Sequence, residues 1–225
     1  MDNSTRYASD VAFTPSVKAI QTRKGSRLGY SRMEQRGSWE TRITPELRDF
    51  IAAQTSFYMA TANAKGQPYM QHRGGPVGFL RVLDERTLAF VDFAGNKQYI
   101  SAGNLSENPK AQLFLMDYEN RQRVKIWGDA QVIEDDEALT ATLTSMGYGA
   151  KPEQVIVFTV KAWDANCPQH IPVRLDAEKV KASLDQRDRR IQALEARLVQ
   201  LGQDRTYQAP NGVSLGRGKE IYMPL

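Results

Sequence analysis

The chain has 225 residues, 41% hydrophobic and 25% charged, ordinary proportions for a globular protein that can bury roughly 70% of its unfolded surface. A single cysteine, Cys167, excludes an intrachain disulfide, and two histidines without close spacing give too few ligands for a His-based metal centre. No apolar run approaches the about 20 residues that a membrane helix needs, and the N-terminus has no apolar signal-peptide core, so the cytoplasm is the expected location.

The formal net charge is +4, and it is concentrated at one end. Residues 1–42 hold eight bases (Arg6, Lys18, Arg23, Lys24, Arg27, Arg32, Arg36, Arg42) against four acids (Asp2, Asp10, Glu34, Glu40), and eight minus four is the whole excess. The segment is rich in Ser, Gly, Arg and Thr with weak periodicity. It reads as an extended basic arm with a short helix near residues 16–21. Such an arm can bind nucleic acid, but no recognised reading motif and no regular aromatic interleaving accompany it. An arm wrapped on the body or on a partner subunit is the favoured reading, and a nucleic-acid-associated module is the alternative.

Thr44-Pro45-Glu46 then opens a helix: Thr as N-cap, Pro in the first turn, an acid beside the positive end of the dipole. Leu47, Phe50 and Ile51 share one face, and the helix is expected to end near Gln54. Residues 56–63, 69–73, 78–83, 87–93, 111–118, 123–133 and 154–163 are rich in Val, Phe, Tyr, Ile and Thr and read as strands. Residues 64–67 and 84–86 are hairpin connections. Short strands joined by tight turns favour an antiparallel barrel over a doubly wound sheet. Helices are expected at about 97–107 and 135–146; the acids Asp135, Asp136 and Glu137 match the dipole of the second. Residues 177–201 contain neither Gly nor Pro. Val180, Leu184, Ile191, Leu194, Leu198 and Leu201 fall at heptad a and d spacing, broken by Arg187 at one d position. This is a short coiled coil or one amphipathic helix lying on its own barrel. Residues 203–225 read as an irregular tail.

The chemistry concentrates between residues 58 and 118. One strand ends in Gln71-His72-Arg73-Gly74-Gly75, and Gly95-Asn96-Lys97-Gln98 leads to Ser101 at an expected helix start. Arg grips phosphate oxygens through paired hydrogen bonds, Lys adds a point charge, and a helix start adds free N–H groups. The two glycines suit close approach of a ligand to the backbone, or else a bulge in a barrel strand. His170 is a candidate proton donor or a structural loop residue. Trp163, in a strand pattern, is a core or interface residue, or one that stacks on a ligand. Nothing near Cys167 lowers its pKa, so a nucleophilic role is not favoured.

This order of strand, strand-end Arg, hairpin, strand, Gly-Asn-Lys, helix, Asn108-Pro109 and strand resembles the pyridoxamine 5'-phosphate oxidase-like split-barrel flavoproteins over roughly residues 43–174. It is most similar to the subgroup known simply as FMN-binding, where segments like Gln71-His72-Arg73-Gly74-Gly75, Gly95-Asn96-Lys97-Gln98 and Asn166-Cys167-Pro168-Gln169-His170-Ile171 recur. The resemblance implies a mainly β (α+β) fold: a six-stranded antiparallel split barrel over residues 43–175, with flanking helices. It also implies a homodimer with FMN in clefts between subunits. Arg73 and Lys97 would hold the FMN phosphate, with Asn96, Gln98 and Ser101 beside it. Gln71 and His72 would run along the flavin edge, and Gly74 and Gly75 would let the backbone close in. Arg123 and Lys125 would face the partner's flavin. Trp163, Asn166 and Gln169 would close the cleft, with His170 as the catalytic candidate. The implied activity is FMN-dependent oxidoreduction of a small-molecule substrate; a flavin carrier or sensor without turnover is the alternative. The chain departs from the vitamin B6 oxidases in two respects: the segment between Lys97 and Asn108, which bears Gln98 and Ser101, is a few residues longer, and their C-terminal Arg-x-His element has no counterpart, His170-Ile171-Pro172-Val173-Arg174 carrying both residue types in another arrangement.

Overall fold

The computed structural model describes residues 7–144, 147–165 and 168–200. The helices are Pro15–Arg23 (α1), Arg27–Gln35 (α2), Pro45–Ala52 (α3), Ile100–Glu107 (α4), Glu137–Leu143 (α5) and Ala177–Gln200 (α6). The strands are Ser56–Ala62 (β1), Pro68–Gly74 (β2), Arg81–Val82 (β3), Thr87–Phe93 (β4), Lys110–Asp117 (β5), Gln122–Ile133 (β6) and Pro152–Ala165 (β7). The chain divides into two compact units, Met1–Arg174 and Leu175–Leu225.

Period-two burial shapes the sheet. Phe57 and Met59 in β1, Leu113 and Leu115 in β5, and Val124 and Ile126 in β6 point inward while their neighbours stay half-exposed. β4 and β7 carry longer buried runs, because α5 covers their other face through Leu143, Val91 and Val155. All seven strands form one antiparallel sheet in the order β2-β1-β5-β6-β7-β4-β3.

The sheet curls into a split barrel. β1 and β4 lie four spacings apart in the ladder, roughly 19 Å if the sheet were flat. Yet the rings of Phe57 and Phe90 meet edge to face at 5.1 Å, and Phe79 stacks on Phe57 at 5.5 Å. α3 plugs one end with Leu47 and Ile51, both buried. Its entry is as expected: the Thr44 hydroxyl accepts from the Leu47 N–H, and Pro45 opens the first turn.

Three expectations need correction. The sheet has seven strands, as the seven strand-like runs suggest, against the six that the resemblance implies, and one is short: of the run read as strand over 78–83, only Arg81 and Val82 pair. Gly78 has a φ of 74° and the Phe79 N–H bonds to the Pro76 carbonyl, so the chain turns there and sends Phe79 and Leu80 into the core. The helix expected from Lys97 begins at Ile100, and the one expected over 135–146 is confined to Glu137–Leu143, capped by Asp136.

The largest correction concerns the expected arm over residues 1–42: its described part, residues 7–42, is not extended. From Tyr7 on they fold as a 3-10 turn, Ala8–Val11, followed by α1 and α2. Their charges are used internally: Glu34 is 3% exposed and pairs with Arg27 and Lys18, and Lys18 also pairs with Asp10. Phe13 packs on Tyr30 and Trp39, and Trp39 stacks on Trp127 of β6 at 4.7 Å. Weak apolar periodicity hid these helices because they are held by a buried ion cluster and aromatic edges rather than by an aliphatic stripe.

In the second unit α6 is a single helix whose N-terminus is capped by Asp176, which accepts from the Lys179 N–H at 3.0 Å. The tail expected over 203–225 lies outside the described residues. No helix among the described residues is long and apolar enough to cross a membrane.

One glycine fixes how β6 meets β7. The register shifts between Trp127 and Gly128, and a Cβ on Gly128 would sit 2.1 Å from the Thr159 carbonyl oxygen and 2.5 Å from the Phe158 ring. Gly128→Ala is expected to lower stability by about 3 kcal/mol or more, read from denaturant unfolding with an unchanged slope.

Candidate functional site

β2 is an edge strand, and its alternation sets Tyr69, Gln71 and Arg73 on one side, with Met70, His72 and Gly74 on the other. The first set lines a cleft of about 230 Å3 at the seam where β2 faces β4 without a ladder. Asp92 and Phe93 of β4, Glu153 and Gln154 of β7, the loop through Gly95, Asn96, Lys97, Gln98 and Tyr99, and Ile100, Ser101 and Ala102 at the start of α4 complete it.

Arg73 crosses the seam. Its guanidinium donates to Asp92 in an ion pair whose two side chains are 10% and 12% exposed. Asp92 also accepts from Gln154 Nε2 at 2.9 Å, and the guanidinium lies 5.8 Å from the centre of the Phe90 ring. Arg73 Nε is buried and has no hydrogen-bond partner among the described residues.

The loop before α4 is built from turn chemistry. The Asn96 side chain accepts from the Gln98 N–H at 3.2 Å, and Lys97 and Tyr99 adopt left-handed φ values of 58° and 50°. Two left-handed residues cannot continue a helix, which is why α4 starts after Tyr99. Ser101 is buried and its hydroxyl donates to Gln71 Oε1 at 2.8 Å, fixing the helix start against β2. The Tyr99 hydroxyl donates to Glu153 at 2.7 Å, and that hydrogen bond to a carboxylate raises the phenol pKa. The cleft thus holds two cations, Arg73 and Lys97, and two carboxylates, Asp92 and Glu153.

Of the residues singled out from sequence, Gln71, Arg73, Asn96, Lys97, Gln98 and Ser101 are brought together here. The other described ones lie elsewhere in one chain. The His72 ring is on the opposite face of β2, edge-on to Tyr58 at 5.6 Å. Gly75 has a packing reason rather than a ligand one, since a Cβ there would sit 2.7 Å from the Phe79 ring. Gly74 likewise lies against the His72 ring, where a Cβ would come within 3.2 Å. Trp163 is pinned away from the cleft: its indole donates to the Arg42 carbonyl at 2.8 Å and its backbone N–H to Glu40 at 2.9 Å. Gln169 and His170 are exposed in a turn and do not line the cleft; Asn166, like Cys167, lies outside the described residues.

Arg123 and Lys125 stand on the outer face of β6. Lys125 lines a different cleft, of about 550 Å3, with Phe13, Tyr30, Trp39, Trp127 and Asp164. Sequence reasoning passed over Asp92, Glu153, Gln154, Tyr69 and Tyr99. Asp92 had a signal, since an acid inside Phe90-Val91-Asp92-Phe93 needs a partner when its strand is buried.

The model of the pyridoxamine 5'-phosphate oxidase family matches residues 43–167. The chain belongs to this family. Similar solved structures include HupZ of Group A Streptococcus, 21% identical with a TM-score of 0.46, covering 59% of this chain and 99% of that one. An FMN-binding protein of Syntrophomonas wolfei is 12% identical with a TM-score of 0.45, covering 66% and 97%. A pyridoxinephosphate oxidase family protein of Clostridium acetobutylicum is 13% identical with a TM-score of 0.41, covering 60% and 94%. No curated protein matches the chain with significance.

The electrostatics of this pyridoxamine 5'-phosphate oxidase family member give two expectations. Removing one partner of a buried ion pair leaves an uncompensated charge and costs roughly 3–5 kcal/mol. Asp92→Asn should therefore lower stability by about 3 kcal/mol without added anion, and inorganic phosphate should restore more of the loss in the variant than it adds to the wild type. In the second cleft, burial raises the Asp164 pKa, and Lys125 opposes it only in part. A carboxyl with a raised folded-state pKa adds stability at low pH and loses it as pH rises through that value. Asp164→Asn should thus melt above the wild type near neutral pH, and the gain should vanish below the ordinary aspartate range.

Proposed function

We propose that the chain binds flavin mononucleotide and works as an FMN-dependent oxidoreductase, moving hydride between a small-molecule donor and the flavin, with oxygen or another acceptor completing the cycle. The bound flavin supplies the redox chemistry, and the protein's part is to hold, orient and tune it. The observation that carries the reading is that Arg73 and Lys97, 24 positions apart, line one polar cleft in a member of this family.

The donor set fits the phosphate end of the cofactor. Asp92 takes a guanidinium N–H of Arg73, and the buried Nε, without a partner among the described residues, can donate to a phosphate oxygen. Lys97 adds a second positive charge from the loop, and Asn96 and Gln98 add amide groups. Ser101 holds Gln71 in place and is spoken for within the chain.

A cleft of about 230 Å3 is smaller than the roughly 300–1,000 Å3 of pockets that enclose drug-sized ligands. It takes one end of FMN, and the ring system needs a second surface. We assign that surface to another copy of the chain, in a cytoplasmic homodimer, with Arg123, Lys125, Trp163 and the loop bearing Asn166, Gln169 and His170 contributed across the interface. His170 is the proton donor in this reading. A flavin carrier or sensor is the second reading, supported by the absence of His170 from the lining of the cleft in one chain.

The absorbance spectrum of the protein as purified, with mass analysis of the released ligand, tests the cofactor. Arg73→Ala should weaken FMN binding by about 2–5 kcal/mol, measured by titration of the stripped protein. Unchanged retention would show that the phosphate lies elsewhere. Bleaching by a nicotinamide donor and recolouring in air would favour turnover; a yellow protein inert to every donor would favour the carrier.

A further inference from the structure

The helix α6 carries an apolar stripe that its own described residues leave exposed. None of its described residues is buried, and Val180, Leu184, Ile191, Leu194 and Leu198 are 38–48% exposed. With Leu184, Ile191 and Leu198 at heptad a, Val180, Arg187 and Leu194 fall at d. We infer that α6 is a docking surface for α6 of a second copy of this chain, and that the two helices pair in parallel and in register.

The flanking charges select the occupant and its direction. In a parallel pair each g residue faces the e residue five positions on in the partner helix. Arg190 then meets Glu195, Asp176 meets Lys181, and Ser183 meets Asp188, so no like charges oppose. An antiparallel pair aligned over the full stripe sets Asp188 against its own copy and Arg190 against its own copy. The antiparallel register one heptad away avoids that clash but leaves Leu198 outside the overlap.

Arg187 is the one charged residue at a core position, and in the parallel pair it lies beside Asp188 of the facing helix. A single polar core residue lowers stability and fixes register and strand number. Two parallel helices also bring residue 174 of both chains to the same end, which raises the effective concentration of one 1–174 unit for the other.

The test uses the full chain with Cys167 replaced by serine and a reporter at an a position, Leu198→Cys. Mild oxidation should give a disulfide-linked dimer. Arg189→Cys, at the outward f position, should cross-link at least tenfold more slowly. Arg190→Glu or Glu195→Arg alone should slow the Leu198→Cys cross-link several-fold, and the double reversal should restore it. No cross-link, equal rates at 198 and 189, or indifference to the charge reversals would overturn the inference. A chain that sediments as a dimer yet shows any of those results refutes pairing through α6 while leaving a dimer of the barrels intact, so the two ideas fail separately.

Discussion

One ion pair governs the architecture of the site. The barrel closes everywhere through backbone ladders except between β2 and β4, which lie five spacings apart in the sheet, roughly 24 Å if it were flat. Across that gap Arg73 grips Asp92, and Gln154 holds Asp92 from β7. A side-chain bridge replaces main-chain pairing at the seam. The groove left beside it is where an incoming molecule can meet polar groups from β2, β4, β7 and α4 together. The hydrophobic core makes this possible, because Phe57, Phe79 and Phe90 draw the two sides of the seam to within contact distance.

Much of this was legible in the residues. The strand runs followed β-branched and aromatic content, and period two in β2 is enough to place Gln71 and Arg73 on one face. The entry to α3 followed from Thr44 and Pro45. The sequence failed where local signals were ambiguous. Gly75 looked like a ligand approach, but the Phe79 ring occupies its space, because the turn at Gly78 folds that ring back; Gly74 lies against the His72 ring. The start of α4 was misplaced because left-handed geometry at Lys97 and Tyr99 is unusual for such side chains. Residues 7–42 were misread because a buried ion cluster leaves no hydrophobic period to detect.

The N-terminal helices change how the basic charge is understood. Lys18 and Arg27 belong to a network centred on Glu34, and Arg42 pairs with Glu85 beyond β3. The aromatic column of Phe13, Trp39 and Trp127 ties this segment to the outer face of β6. The segment is therefore part of the first unit's packing, and the second cleft between it and β6 and β7 exists only because these helices fold.

Asp92 has a further consequence. Two cations at the rim of one groove repel each other and strain the opening they flank. With a carboxylate seated beside the guanidinium that repulsion is offset, and the phosphate proposed above would join an arrangement close to electrically balanced. Capture is then less a matter of long-range attraction than of offering better hydrogen-bond geometry than water does. Occupancy should accordingly depend only weakly on ionic strength, unlike the steep salt dependence of a bare cluster of basic residues.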